Sequence, residues 1–380
     1  MAAVPLEFRR SSEDGAARAA RGSVSAIMNR LCHRGLLGCL LLLSACGGRG
    51  AEVQPPGQAV LSLLLVGDTG RRADADPKGV RLAVGRALAR EDQRLPATRL
   101  LLLGDNFYPQ GLLADELVPR VRENLVRPFC HFLRLDGPRS TEVADACSVP
   151  AGQRHPIPIE ALLGNHDHEA PDSGALQRTA VPSFLPGWRI PPGPVHLAEL
   201  GHGVSLLLLD SQSLYAHPAE RLPALAGALR AATGRFRIVV AHHPPADLDP
   251  DGNDAAWMDR ATARVREALA RVGAPVQLWV SGHEHNLQLL AGGADEPRVI
   301  AVAGSGSDPR HVRTRRPRIF ASDAPGFARV DLVETRGSVE AGRAPELVVT
   351  LFEADVRTGV PRARASVRIG PDGSLLGVAP

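Results

Sequence analysis

No charge of one sign dominates this sequence: 44 Lys and Arg stand against 41 Asp and Glu, a formal net charge of +3. That balance excludes the concentrated basic surplus with which nucleic-acid binders meet phosphates, and no nucleic-acid partner is expected. The apolar run Leu36–Leu43 is too short to cross a bilayer as a helix. Internal repeats and a second composition regime are both missing, which leaves a single folded domain as the simplest organisation. Cysteine is scarce, five in 380 residues. What is present is apolar material, 44% of the chain, enough for a large buried core. The 38 Gly and 32 Pro imply many turns and long ordered loops.

The first segment has the features of an address. Met28-Asn29-Arg30, His33 and Arg34 are followed by the apolar run, which ends in Leu43-Ser44-Ala45-Cys46-Gly47. This resembles a bacterial lipoprotein signal, and the resemblance implies cleavage before Cys46 and lipidation of its thiol. Residues 1–27 are expected to be a dispensable leader or an upstream misassigned start, so that 1–45 is leader and signal. Residues 46–58, rich in Gly, Pro and polar side chains, read as a flexible tether, and 59–380 as the folded domain. The chain is then expected on the cell envelope, held to a membrane by lipid, as a monomer. Cys32 and Cys39 would leave with the signal, so Cys130 and Cys147 remain and are expected to form a disulfide worth about 3 kcal/mol.

Past the tether, short runs of nearly continuous apolar residues alternate with helical stretches. Val60–Val66, Arg99–Leu103, Ile157–Leu163, Val204–Leu209, Phe236–Ala241, Val276–Val280 and Val299–Ala303 read as strands buried on both faces. Gly79–Arg90, Asp115–Pro128, Ala219–Ala232 and Asp254–Val272 read as covering helices. Phe327–Val333, Leu347–Ala354 and Arg364–Ile369 read as closing antiparallel strands. The pattern predicts an α/β fold with a two-sheet core flanked by helices.

Five of these strands run straight into polar loops: Gly67-Asp68-Thr69-Gly70, Gly104-Asp105-Asn106-Phe107-Tyr108, Gly164-Asn165-His166-Asp167-His168, His242-His243-Pro244-Pro245 and Ser281-Gly282-His283-Glu284-His285. A glycine just past a strand lets the backbone turn sharply, so the next side chain can reach a point above the sheet. Carboxylate, amide oxygen, imidazole and phenol without thiolate suit iron, manganese or zinc rather than a Cys-type zinc site. His283 and His285, two apart, would share one side of an extended segment and each serve one of two adjacent ions.

In this order the motifs resemble those of the calcineurin-like metallophosphoesterases, and GDNFY, GNHDH and GHEHNLQ are similar to those of the mammalian-type, tartrate-resistant purple acid phosphatases. The resemblance implies a four-layer αββα sandwich around two metal ions. It implies Fe(III) held by Asp68, Asp105, Tyr108 and His285, and a divalent Fe, Zn or Mn held by Asp105, Asn165, His242 and His283. His166 would bind a phosphate oxygen and protonate the leaving alcohol, with Asp167 orienting it. The implied reaction is hydrolysis of small phosphomonoesters by attack of a metal-bound hydroxide on phosphorus. A phosphodiesterase or nucleotidase on the same site, or a non-catalytic metal- or partner-binding lipoprotein, are the alternatives.

The chain departs from that family pattern at Thr69, at Glu284, and in the loop Ala246–Gly252, which carries Asp247, Asp249 and Asp251 where those enzymes have another histidine. An acidic loop there shifts the expected pH optimum. His243 is expected to face away from His242, in a supporting or surface role, and His168 to support a ligand by hydrogen bonding. The basic run Arg310–Arg318 is assigned no function, and Trp188, Trp257, Trp279, His131, His155, His196, His202, His217 and His311 are taken as packing.

Overall fold

A strand that is apolar at every position needs cover on both faces, and the chain meets that need by stacking two sheets between helices. The computed structural model describes residues 57–76, 78–252, 254–334 and 344–379; Cys46, its signal and nearly all of the tether lie outside them. In chain order the strands are β1 (Gln58–Val66), β2 (Arg99–Leu102), β3 (Ile159–Ala161), β4 (Trp188–Arg189), β5 (Val195–Glu199), β6 (Val204–Leu209), β7 (Phe236–Ala241), β8 (Leu278–Ser281), β9 (Leu287–Ala291), β10 (Val299–Ala303), β11 (Phe320–Ser322), β12 (Gly326–Glu334), β13 (Glu346–Ala354), β14 (Pro361–Ile369) and β15 (Leu375–Ala379). One sheet runs β15-β14-β13-β12-β1-β2-β3-β4 and the other β11-β9-β10-β8-β7-β6-β5. Both are mixed: β1 to β4 pair in parallel, as do β6, β7, β8 and β10, while β12 to β15 are antiparallel.

Alternation along β1 shows how the layers are glued. Leu61, Leu63 and Leu65 point between the sheets and meet Leu206, Val240 and Val280. Leu64 and Val66 point outward onto Val84 and Leu88 of the helix Val80–Arg94. The second sheet repeats the device, with Leu207 and Val239 against Leu225 and Val265 of the helices Pro218–Ala231 and Ala255–Val272. Each fully buried leucine contributes roughly 1.5–3 kcal/mol of transfer free energy, so a Leu63→Ala change at this fully buried position should cost about 2–5 kcal/mol. The result is the expected four-layer αββα sandwich.

Two expectations need correction. The stretch Asp115–Pro128 is not one regular helix: Leu117–Arg120 passes into a π-helical segment, Val121–Val126, and then Arg127–Phe129. Pro119 and Pro128 each lack an N–H for the ladder, and the irregular turn serves the site. Buried Arg120 donates to the carbonyls of Gly70 (3.1 Å) and Tyr108 (2.7 Å), tying two polar loops together. The sequence pattern also missed the short strands β4, β5, β9, β11 and β15. Cys130 and Cys147 form a disulfide with Cα atoms 5.2 Å apart. Among the described residues no helix is long and apolar enough to cross a membrane.

Candidate metal centre

The parallel strands of both sheets end at one rim, and their loops are stitched to each other there. Gly67 N donates to Ala303 O, Asp68 N to Gly104 O, and Gly282 N to His242 O, at 2.8–3.0 Å. Within this weave it is the polar residues themselves, more than the glycines, that take the unusual backbone. Five non-glycine residues among those described have positive φ, and four of them are Asp68 (59°), Asp105 (55°), His283 (70°) and His285 (54°). Such strain persists only where the surroundings over-determine it. The glycines mainly make room: a Cβ on Gly164 would lie 2.1 Å from Asp105 Oδ1, and one on Gly282 would lie 2.5 Å from Asp68 Oδ2.

At one side of the centre, Tyr108 Oη donates to Asp68 Oδ1 (3.1 Å) and faces His285 Nε2 (2.9 Å). One donor atom each from Asp68, Asp105 and His285 lies within 4.8 Å of the others. His285 Nδ1 bonds to the Asp308 carbonyl (2.8 Å), leaving Nε2 turned to Asp68 and Tyr108. Burial and the charges of Asp105 and Asp68 push the Tyr108 phenol well above its ordinary value. A cation is what would turn it into a phenolate ligand.

On the other side, His242 Nδ1 bonds to the Leu103 carbonyl (2.9 Å), which aims Nε2 at Asn165 Oδ1 (3.0 Å) and, at 3.6 Å, Asp105 Oδ2. Burial lowers the His242 pKa and favours the neutral imidazole a metal needs. His283 joins this side, with ring centroids 5.2 Å from His242. Its placement does not come from an extended segment, since both His283 and His285 sit in left-handed turns; the pair diverges to the two sides all the same. Burial works against a charged His283, yet its bond to Asp254 Oδ2 (3.0 Å) and the charges of Glu284, Asp254 and Asp68 hold it up at about 9. The field there favours positive charge.

His243 departs from expectation. It is buried, its ring lies 4.9 Å from His242 and 4.5 Å from His283, and one nitrogen belongs to the cluster His242, His243 and His283. β7 ends at Ala241, so strand alternation no longer governs where residue 243 points. Its Nδ1 pairs with Ser211 Oγ (2.9 Å), and burial beside His283 and His242 drives its pKa well below the ordinary value.

His166 stands at the mouth. Its Nδ1 is held by the Pro109 carbonyl and lies 3.1 Å from Glu169, and its ring is 4.5 Å from that of Tyr108. Asp167 does not orient it. That carboxylate is fully buried and accepts from the amides of Asn106 (3.0 Å), Phe107 (3.2 Å) and Gly164 (3.0 Å) and from Gln177 Nε2 (2.9 Å). It fixes the loops that carry Asp105 and Asn165, and burial with the Asp105 charge pushes it up to about 7. His168 bonds Asp210 (2.9 Å), which caps the helix Ser211–Ala216, rather than any proposed ligand.

The cleft above these groups has a volume of about 750 Å³, and Asp105, Asn165, His166, His283 and His285 all line it. Its rim was not legible from the motifs. The acidic loop supplies Asp247, Asp249 and Asp251, the cap of the helix Ala255–Val272 supplies Asp254, and the basic run supplies Arg310 and Arg313. The run is therefore part of the site: Arg313 reaches Asp249 (3.4 Å) and Arg315 reaches Asp251 (2.9 Å) across the opening. Asp308, which holds His285, was also missed. The rule of a strand followed by glycine, applied to β10 and its loop Gly304-Ser305-Gly306-Ser307-Asp308, would have found it; nothing local marks Asp254.

Buried carboxylates and a phenol held around inward-facing imidazole nitrogens, on glycine-relieved turns at parallel strand ends, form a candidate site for a pair of cations. Residues 61–287 match the family described as calcineurin-like phosphoesterase, and the chain belongs to that family, whose members depend on two metal ions. The chain is similar to tartrate-resistant acid phosphatase type 5 of Homo sapiens, 27% identical over 274 residues that cover 67% of this chain and 76% of that one. It is also similar to the Sus scrofa enzyme of the same name, 25% identical over 300 residues, 73% and 80% of the two chains. Two solved structures share the fold: GAP50, the anchor in the inner membrane complex of Plasmodium (TM-score 0.53, 16% identity, 81% of this chain and 88% of that one), and PhoD (TM-score 0.53, 12% identity, 85% and 73%).

Proposed function

We propose that this chain hydrolyses small phosphomonoesters with a mixed-metal centre, Fe(III) beside a divalent Fe, Zn or Mn, in the manner of a purple acid phosphatase. The observation that supports it is the meeting of Asp68, Asp105, Tyr108, Asn165, His242, His283 and His285 around one centre, with His166 at its mouth. The donors fit two cations: Tyr108, Asp68 and His285 face one position, Asn165, His242 and His283 another, and Asp105 lies between. When bound, the ions would supply an activated water and neutralise charge on the phosphoryl group. His166, held through Nδ1, presents its other nitrogen to the cleft, where it can bond a phosphate oxygen and give a proton to the leaving alcohol. Asp254 and the Leu103 and Asp308 carbonyls keep the ligating rings aligned. Arg310 and Arg313 place positive charge at the rim, while the acidic loop opposes anions and moves the pH optimum away from the acid range. Cys46 is proposed as the lipid attachment point that places the enzyme on the cell envelope.

Purified full-length chain loaded with iron plus zinc or manganese is expected to hydrolyse p-nitrophenyl phosphate faster than bis(p-nitrophenyl) phosphate and to show a visible phenolate-to-iron band. A preference for the bis-ester would move the reading to a phosphodiesterase. An active but colourless, iron-free enzyme would remove Fe(III) while keeping the phosphoesterase.

A further inference from the structure

Away from the cleft, Asp92 lies almost fully buried in the last turns of the helix Val80–Arg94. Its Oδ2 meets His131 Nε2 at 2.8 Å and His155 Nδ1 at 2.9 Å, and one donor atom from each of the three residues lies within 4.8 Å of the others. The other oxygen, Oδ1, accepts from the Ala97 amide at 2.8 Å, which fixes the plane of the carboxylate. His131 belongs to the turn Cys130–Phe132, next to the disulfide, and is buried, while the His155 side chain is 43% exposed. The His155 amide donates to the His131 carbonyl at 2.8 Å, so the two histidines are coupled through backbone as well.

Two imidazoles converging on one carboxylate oxygen form the donor set of a three-ligand zinc site with one position open. We propose that Asp92, His131 and His155 hold a third metal ion, a divalent cation of the zinc class, that clasps the disulfide loop to the helix Val80–Arg94. Four observations carry it. A buried carboxylate calls for a paired charge or a coordinated cation, and Asp92 Oδ2 is where both imidazole nitrogens converge. With bonds of roughly 2.0–2.1 Å, tetrahedral ligands stand about 3.3 Å apart, so each nitrogen needs to draw back from Asp92 Oδ2 by only about half an ångström. The exposed ring of His155 can supply that movement and gives the ion its access, while Asp92 and His131 stay fixed by burial. The Ala97 amide on Asp92 is the outer bond such a ligand requires.

The test is a metal count on the full-length protein after equilibration with Zn²⁺ and removal of free ion, compared with His155→Gln and Asp92→Asn. The wild type should hold one Zn²⁺ per chain more than either variant, phosphatase activity of His155→Gln should be unchanged, and Zn²⁺ should raise the melting temperature of wild type more than that of His155→Gln. Anomalous diffraction at the zinc edge should place the extra ion on Asp92. Failure of the two-cation reading of the cleft would lower the count in all three proteins and leave the difference of one. Equal counts in wild type and His155→Gln, or anomalous density confined to the cleft, would overturn the proposal and leave a hydrogen-bonded clamp.

Discussion

The floor of the cleft and its rim are built by different physics. The floor is buried, left-handed at four of its proposed ligands, and held by backbone amides and carbonyls that cannot rearrange without opening the sheet ends. The rim is made of half-exposed side chains on two loops facing each other, joined by Arg313–Asp249 and Arg315–Asp251. Exposed pairs of that kind contribute about 0–1 kcal/mol each and weaken with salt. The floor can therefore fix where a reaction happens, whereas the rim can only bias what arrives and how fast. If the contrast is right, substitutions should fall into two classes separated by orders of magnitude.

The largest loss should come from Asp105→Ala, which removes the group between the two cation positions. A drop in kcat/KM of about 10³-fold or more is expected, with metal content falling in parallel; retained activity at full metal content would break the floor side of the comparison. Next is His166→Ala. Its imidazole makes no hydrogen bond to a proposed ligand, and its amide, which donates to Asp105 Oδ1 (3.0 Å), survives the change, so the metals should stay while turnover falls by roughly 10²–10⁴-fold. The loss should shrink for substrates with good leaving groups, and an equal loss for p-nitrophenyl and alkyl phosphates would remove its role as proton donor. Gly164→Ala tests the floor sterically. With a new methyl pressed on Asp105 Oδ1, it should cost about 1–3 kcal/mol of stability and lower metal affinity as well.

These predictions track what could be seen beforehand. The floor was legible because burial on both faces writes continuous apolar strands, and the polar residue after each strand has nowhere to point except the shared rim. That logic gave the five loops; Asp68, Asp105, Tyr108, Asn165, His242, His283 and His285 were singled out within them by the resemblance to the metallophosphoesterase motifs. The roles of Asp167 and His243 were not legible, because they depend on how a loop leaves its strand: two residues beyond β7 are enough to turn His243 inward. The rim was illegible for another reason. Arg313 and Asp249 are 64 positions apart and joined only by charge, which carries no local signature. Asp254, which holds His283, lies between those extremes. Asp254→Asn should weaken divalent-metal affinity about 10–100-fold, read by metal titration, as removal of an outer partner does.

The smallest effect expected belongs to the far end of the basic run, where Arg316 and Arg266 meet the nearly buried side chain of Glu296. Burial alone would raise Glu296, but Arg316, the Gly293 amide and Arg266 hold it below its ordinary 4.5. A carboxylate depressed in the folded state adds stability above its unfolded value and loses it as pH falls through the folded one. Arg316→Ala should then cost less than about 1 kcal/mol near neutral pH and progressively less below 4.5, until the variant and wild type coincide in acid. Denaturant midpoints measured across that range decide it. A constant gap between the two proteins at every pH would mean that Arg316 acts by packing its stem, and the rim would then resemble the floor more than the charge pairs suggest.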